Sequence, residues 1–197
     1  MQQVVCDISV SADGYAAGPD QSKDLPFGVI EHNRLHDWMF EAADENQAEV
    51  EVITAAGAFV MGRNMFGPDR GEWDLDWKGW WGDTPPYHAP VFVLAHRERD
   101  DLEMNGGTAF HFVTDGIEAA LERARTAAAP KDVAISGGAN TINQYLAAGL
   151  IDELRVHITP SVIGSGERLF EGVPPTELQQ VSARATSLVT HIVYRTG

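Results

Sequence analysis

The sequence predicts one α/β domain of three layers, with a mixed, mainly parallel central sheet and antiparallel strands at its C-terminal end. Three observations carry this expectation. Apolar runs of strand length alternate with stretches of helical period, the last runs follow one another without a helix between them, and 197 residues suit one core and are short for two. No repeat of fixed period and no low-complexity tract marks a linker, so residues 1–197 read as a single unit.

Val4 to Ser11 opens the chain as a strand, because Val4, Val5, Ile8 and Val10 form a β-branched run that ends at the turn signal Asp13-Gly14. Ala16 to Gly28, rich in Gly, Pro, Asp and Ser, is a loop. Glu31 to Phe40 has Leu35, Trp38 and Met39 on one helical face, and Asn46 to Gly57 repeats the pattern with Val50, Ile53 and Thr54. Ala58 to Met61 is a short buried strand. Gly62 to Pro90 fits neither period and holds Trp73, Trp77, Trp80 and Trp81. Two readings stand for it: a satellite core packed on the sheet, or a lid whose rings form a stacking wall.

Val91 to Ala95 is an uninterrupted apolar run of the kind a strand covered on both faces displays, and Phe110 to Val113 is a shorter one. Asp115 is the expected N-cap of a helix bearing Ile117, Ala120, Leu121 and Ala124. Val133 to Ser136 is a strand that runs through Gly137-Gly138 into a helix with Ile142, Tyr145 and Leu146 on its apolar stripe, ended by Gly149. Leu154 to Thr159 and Leu188 to Tyr194 complete the strands. The connection between them, which includes Gly164-Ser165-Gly166, reads as loop.

Composition narrows the function. A formal net charge of −15 without any basic run argues against sequence-independent nucleic-acid binding. The longest uncharged stretch of helical potential, Ile53 to Arg63, is far below the ~20 residues a membrane span needs. The N-terminus lacks Lys and Arg, Asp7 and Asp13 interrupt its apolar run, and Cys6 is the lone cysteine. A soluble, cytoplasmic protein is expected.

Three strand ends carry groups suited to anions. Gly137 and Gly138 precede a helix N-terminus, where unpaired N–H groups and a partial positive charge meet a phosphate; a plain tight turn is the other reading. Met61-Gly62-Arg63-Asn64 and Ala95-His96-Arg97 follow strands directly, where open α/β sheets bind ligands. The full G-x-G-x-x-G fingerprint and the P-loop are absent, as is the G-x-S-x-G elbow of serine hydrolases. His32 and His36 have the i, i+4 spacing of zinc ligands, but Asn33 stands where the metalloprotease pattern needs glutamate, and no metal is expected.

Taken in order, SVSADGYAAG (Ser9 to Gly18), FVMGRNMF (Phe59 to Phe66), VFVLAHR (Val91 to Arg97), SGGANTINQYL (Ser136 to Leu146) and GLIDELRVHITPSVIGSGERLF (Gly149 to Phe170) resemble the dihydrofolate reductase superfamily. The resemblance is closest to the reductase domain of the bifunctional riboflavin-pathway deaminase-reductase and its small stand-alone relatives. It implies an NADPH-dependent reductase that passes hydride to a small planar heterocycle, pterin-like or aminopyrimidine-like, and a homodimer. On the family pattern Ser9 and Ala16 approach the nicotinamide, and Ser136, Gly137, Gly138, Ala139, Asn140 and Thr141 hold the pyrophosphate. Gly62, Arg63 and Asn64 lie beside the phosphates, and His96 and Arg97 near the adenosine ribose favour a 2′-phosphate.

Ala95 departs from the hydroxyl residue often found there, and Phe27 in Leu25-Pro26-Phe27 replaces the tryptophan of folate reductases. The carboxylate that folate reductases carry a few residues later falls near Glu31 and His32 without a clean match. The proton that must accompany hydride is assigned at this level to Asp13, His36 or Asp37, since a histidine or a partly buried carboxylate can titrate near working pH. The competing function is a sensor or carrier that binds the nucleotide without turnover.

Overall fold

The computed structural model describes residues 2–31, 34–68 and 70–197. The strands are β1 (Val4–Ser11), β2 (Tyr15–Ala17), β3 (Ala58–Gly62), β4 (Pro90–Leu94), β5 (Leu102–Glu103), β6 (Ala109–Val113), β7 (Val133–Gly137), β8 (Glu153–Thr159), β9 (Glu167–Arg168), β10 (Leu178–Ala185) and β11 (Thr190–Thr196). The helices are α1 (Asp37–Phe40), α2 (Gln47–Ile53), α3 (Arg63–Phe66), α4 (Ile117–Ala128) and α5 (Ala139–Ala147). Among these residues nine strands form one sheet in the order β10-β11-β8-β1-β7-β3-β4-β6-β5, while β2 and β9 pair separately. The β8-β1-β7-β3-β4-β6 block is parallel throughout. Antiparallel pairing is confined to β11 on β8, β10 on β11, and β5 on β6. The mixed sheet with antiparallel C-terminal strands is as the sequence predicts.

Alternation along β1 sets the layers. Val4, Cys6, Ile8 and Val10 join one apolar cluster with α4 and α5, whose stripe residues Leu121, Ala124, Ile142 and Tyr145 are buried there. Val5 points the other way, into a second cluster with Phe59, Met61, Val91, Val93 and Phe110. Trp73, Trp77 and Trp81 pack against that second cluster, so much of the aromatic excursion is a satellite core. Asp7, Ser9 and Ser11 share the face of Val5, which leaves a polar strip on a central strand.

Four expectations need correction. Among the described residues of the helix expected at Glu31 to Phe40 only α1 is helical; Leu35 and Trp38 are fully buried, with Leu35 and His36 in a turn ahead of α1. Asp115 does not cap α4: Gly116 occupies the N-cap at φ +93°, and the Asp115 carboxylate accepts from Arg123 Nη2 at 2.7 Å. Strand β10 went unread because Leu178 to Ala185 lacks apolar alternation, the outer strand having almost every residue exposed. Its ladder with β11 carries a bulge between Gln180 and Ser182, and Arg184 reaches Glu49 of α2 at 2.6 Å. The short pair β2 and β9 also lies in segments read as loop.

Candidate active site

A cleft of about 1130 Å³ opens beyond the carboxyl ends of β3, β4 and β7 and extends over the polar strip of β1. The sheet order explains why the three strand ends meet: β3 lies between β7 and β4, with Met61 opposite Gly137 and Gly62 opposite Leu94. Ser9, Ala16, Gly62, Arg63, Asn64, His96, Arg97 and the whole run Ser136 to Thr141 line this one cleft.

On the α5 side, the first helical bond runs from Ile142 N to Gly138 O at 3.1 Å, and no side chain caps the N–H groups ahead of it. Gly137 adopts φ +123°, a left-handed conformation open to glycine, and a β-carbon on Gly138 would meet nothing within 4 Å. Backbone donors thus face open space. A β-carbon on Gly62, by contrast, would lie 2.3 Å from Thr141 Oγ1, so strand β3 and helix α5 touch with no room for a side chain. Gly62→Ala is expected to cost about 1–3 kcal/mol of stability by overpacking, with Gly62→Ala/Thr141→Ala regaining most of it, as read by urea unfolding of the four-member cycle.

The cationic groups of the cleft are organised by the aromatic excursion between β3 and β4. The Arg63 guanidinium lies 3.8 Å from the Trp73 ring centre and donates to Glu72 O at 3.1 Å. Arg97 pairs with the Glu72 carboxylate, and Trp73 Nε1 donates to Arg97 O at 3.1 Å. Glu72 and Trp73 therefore hold both arginines on one wall. Phe27, His36, Trp38, Trp80 and Trp81 also line the cleft, which gives the excursion a second role as cleft wall.

The three candidate proton donors separate. Asp13 does not line the cleft: its carboxylate accepts from Ser11 Oγ at 2.6 Å, Ile163 N at 3.1 Å and Gly164 N at 2.7 Å, pinning the loop after β8. Burial alone would raise this carboxyl, but these bonds outweigh it and hold it below its usual range. It is an anchor and has no proton to give. Asp37 also stays off the cleft wall, half-exposed and 3.8 Å from Arg34 Nε. His36 does line the cleft, 4.6 Å from the Phe27 ring, with its Nδ1 buried and without a hydrogen-bond partner. Burial, then the charge of His157, pushes it down to about 4, so at neutral pH it has no cationic proton to deliver. Glu31 is exposed, and His32 lies outside the described residues. Among the described residues no cluster of three His, Cys, Asp or Glu is arranged for a metal, and no helix is long and apolar enough to cross a membrane.

Sequence reasoning missed two groups that the fold brings to the cleft floor, Asp7 and His157. His157 Nε2 lies 3.4 Å from Asp7 Oδ1, and Arg155 Nη1 lies 3.2 Å from Asp7 Oδ2. The available signal is a charged residue inside a β-branched run, VVCDISV.

Compared with known proteins, the chain matches the RibD C-terminal domain family over residues 2–192. It is 25 % identical over 201 residues to an uncharacterized protein, YyaP, of Bacillus subtilis, covering 98 % of this chain and 94 % of that one. Among solved structures it is similar to a putative riboflavin biosynthesis protein from Shewanella sp. PV-4, with a TM-score of 0.64 at 20 % identity over 100 % of this chain and 99 % of that one. It is also similar to a diaminohydroxyphosphoribosylaminopyrimidine deaminase/5-amino-6-(5-phosphoribosylamino)uracil reductase from Thermotoga maritima, with a TM-score of 0.61 at 14 % identity. That match covers 100 % of this chain and 57 % of the Thermotoga chain.

Proposed function

The chain belongs to the RibD C-terminal domain family, and from that premise we propose that it is an NADPH-dependent reductase acting on a small planar heterocycle of the pterin or aminopyrimidine kind. The observation that carries this reading is one cleft lined both by the N-terminus of α5, which no side chain caps, and by Arg63, Asn64, His96 and Arg97. That donor set suits a dinucleotide with several phosphates: backbone N–H groups and a helix N-terminus for the pyrophosphate, a guanidinium and an imidazole for a further phosphate on the ribose. In a chain of net charge −15 these groups act locally, since screening over ~8 Å mutes distant carboxylates. When bound, the reduced nicotinamide supplies the hydride.

The chain's own residues do the rest. Ser9 and Ala16 would flank the nicotinamide, while the aromatic lining that includes Phe27 and Trp80 would exclude water from a flat ring. The Thermotoga relative is a deaminase and reductase whose reductase substrate is a uracil derivative, which agrees with an aminopyrimidine acceptor. A cleft lined by aromatic rings together with polar groups of β1 fits that chemistry.

Calorimetric titration tests the cofactor. NADPH is expected to bind more tightly than NADH, and Arg97→Ala to weaken NADPH by about 10- to 100-fold through loss of a charge-assisted bond worth ~1.5–3 kcal/mol, leaving NADH nearly unchanged. A wild-type protein that takes up neither nucleotide overturns the reading. NADPH oxidation with any member of a pterin and aminopyrimidine panel then separates the reductase from the carrier.

A further inference from the structure

We infer that His36 recognises the acceptor, donating a hydrogen bond from Nε2–H to a carbonyl oxygen or ring nitrogen on the edge of a flat heterocycle lodged beside Phe27. His36 and Phe27 both line the cleft, their ring centres 4.6 Å apart and their planes tilted by 33°. Nδ1 of this imidazole is buried and has no hydrogen-bond partner. Nε2 also lacks a partner among the described residues, but it is not buried. The residue as a whole is half-buried, so the Nε2 edge is the part that meets the cleft.

Two neutral tautomers compete for this ring. Hydrogen on Nδ1 would seal an N–H donor in the interior with nothing to accept from it, and such donors are rare because they forfeit the whole cost of leaving water. Hydrogen on Nε2 leaves only a lone pair inside and puts the donor on the open edge. The doubly protonated ring is disfavoured by burial and then by His157, which push it down to about 4. His36 therefore offers the cleft one uncharged N–H donor.

The sheet keeps this donor away from the groups proposed to meet the phosphates. Trp38, two residues on, lays its ring on His157 of β8 and His191 of β11, and its Nε1 donates to Ser9 Oγ at 3.0 Å. Arg63 instead follows β3, and His96 and Arg97 follow β4. In the sheet order β8 and β4 stand four strand spacings apart, about 19 Å at ~4.8 Å each. Ser9, proposed to flank the nicotinamide, sits on β1 between them, so His36 lies on the far side of it from the arginines. The class of acceptor follows from the chemistry. One neutral N–H beside a phenyl ring suits the carbonyl edge of a uracil or a pterin, and it supplies no charge for a carboxylate or a phosphate. Only the word acceptor rests on the reductase reading; the tautomer and the ring contact do not.

Nitrogen-15 NMR of histidine-labelled protein at pH 7, with and without NADP⁺, tests this in the absence of turnover. His36 is expected to show a lone pair at Nδ1 and hydrogen on Nε2, and titration with 5,6-diaminouracil or pterin is expected to shift the Nε2–H proton. By calorimetry His36→Phe, which keeps a ring against Phe27, is expected to weaken the bound ring compound by roughly 10-fold and to leave NADPH affinity nearly unchanged. His36→Gln, whose amide N–H can replace the Nε2 donor, is expected to restore most of that loss. Hydrogen on Nδ1, a His36 that responds to neither compound, or His36→Phe binding as the wild type does overturns the inference. Equal weakening by both substitutions assigns the loss to packing and also overturns it. An enzyme that oxidises NADPH with an acceptor whose KM is the same in His36→Phe keeps the reductase reading and removes His36 from it. If His36 answers to the ring compound while no acceptor is reduced, the reductase reading falls and the contact stands.

Discussion

Replacing Trp38 by alanine is expected to lower the unfolding free energy by about 3–5 kcal/mol, the range for deleting a large buried aromatic. The ring is fully buried, and its centroid lies 4.7 Å from that of His157 and 5.0 Å from that of His191. Its Nε1 donates to Ser9 Oγ at 3.0 Å, and its backbone carbonyl anchors Asn46. Alanine leaves a void over two buried imidazoles and takes away the donor that Ser9 faces. Trp38→Phe keeps most of the packing and loses only the indole N–H, so its cost should be nearer 1 kcal/mol. Urea unfolding with an unchanged m value would check both; equal losses for the two variants would mean that packing over the histidines is not what stabilises this corner.

The second large effect is sensitivity to mild acid. His36 and His191 are each held near 4, against an ordinary value of 6.5. Because the folded values are depressed, the unfolded chain binds more protons between the two, and stability falls as pH drops through that window. It is complete above 6.5 and lost progressively toward 4. For the buried His36 a displacement of that size corresponds to about 3 kcal/mol once the pH has fallen to the lower value. His36→Phe keeps a ring against Phe27 and removes one titration, so the slope of stability against pH between 6.5 and 4 should become shallower. An unchanged slope would show that His36 is not the group responsible.

How much of this was legible in the residues depended on how local the information is. The runs that became β1, β3, β4, β7 and β8 are buried on both faces or nearly so, and such strands write their burial directly into an apolar sequence. Gly137-Gly138 and the start of α5 are equally local: strand, glycine pair and helix follow one another in the chain, so the glycine turn into a helix N-terminus could be read before any fold was known. The meeting of Asp7 with His157 could not. It depends on β8 lying beside β1 in parallel register, across 150 residues of chain, and nothing near either residue encodes that partner. Asp13 and Asp37 were proposed on residue type alone, and type does not tell a carboxylate that pins a loop from one that faces a cleft. Strand β10 failed for the opposite reason, since an outer strand buried on neither face has no pattern to betray it.

The two margins of the sheet are shielded from unwanted growth in different ways. At one margin β5 is two residues long, too short to template another chain. At the other β10 offers eight residues, but the bulge between Gln180 and Ser182 breaks its ladder and the Arg184 to Glu49 tie draws its end toward α2. An incoming foreign strand would find an interrupted row of donors and acceptors and a charged side chain already fixed in place, so stacking of molecules into open-ended polymers along this margin is opposed by the backbone itself.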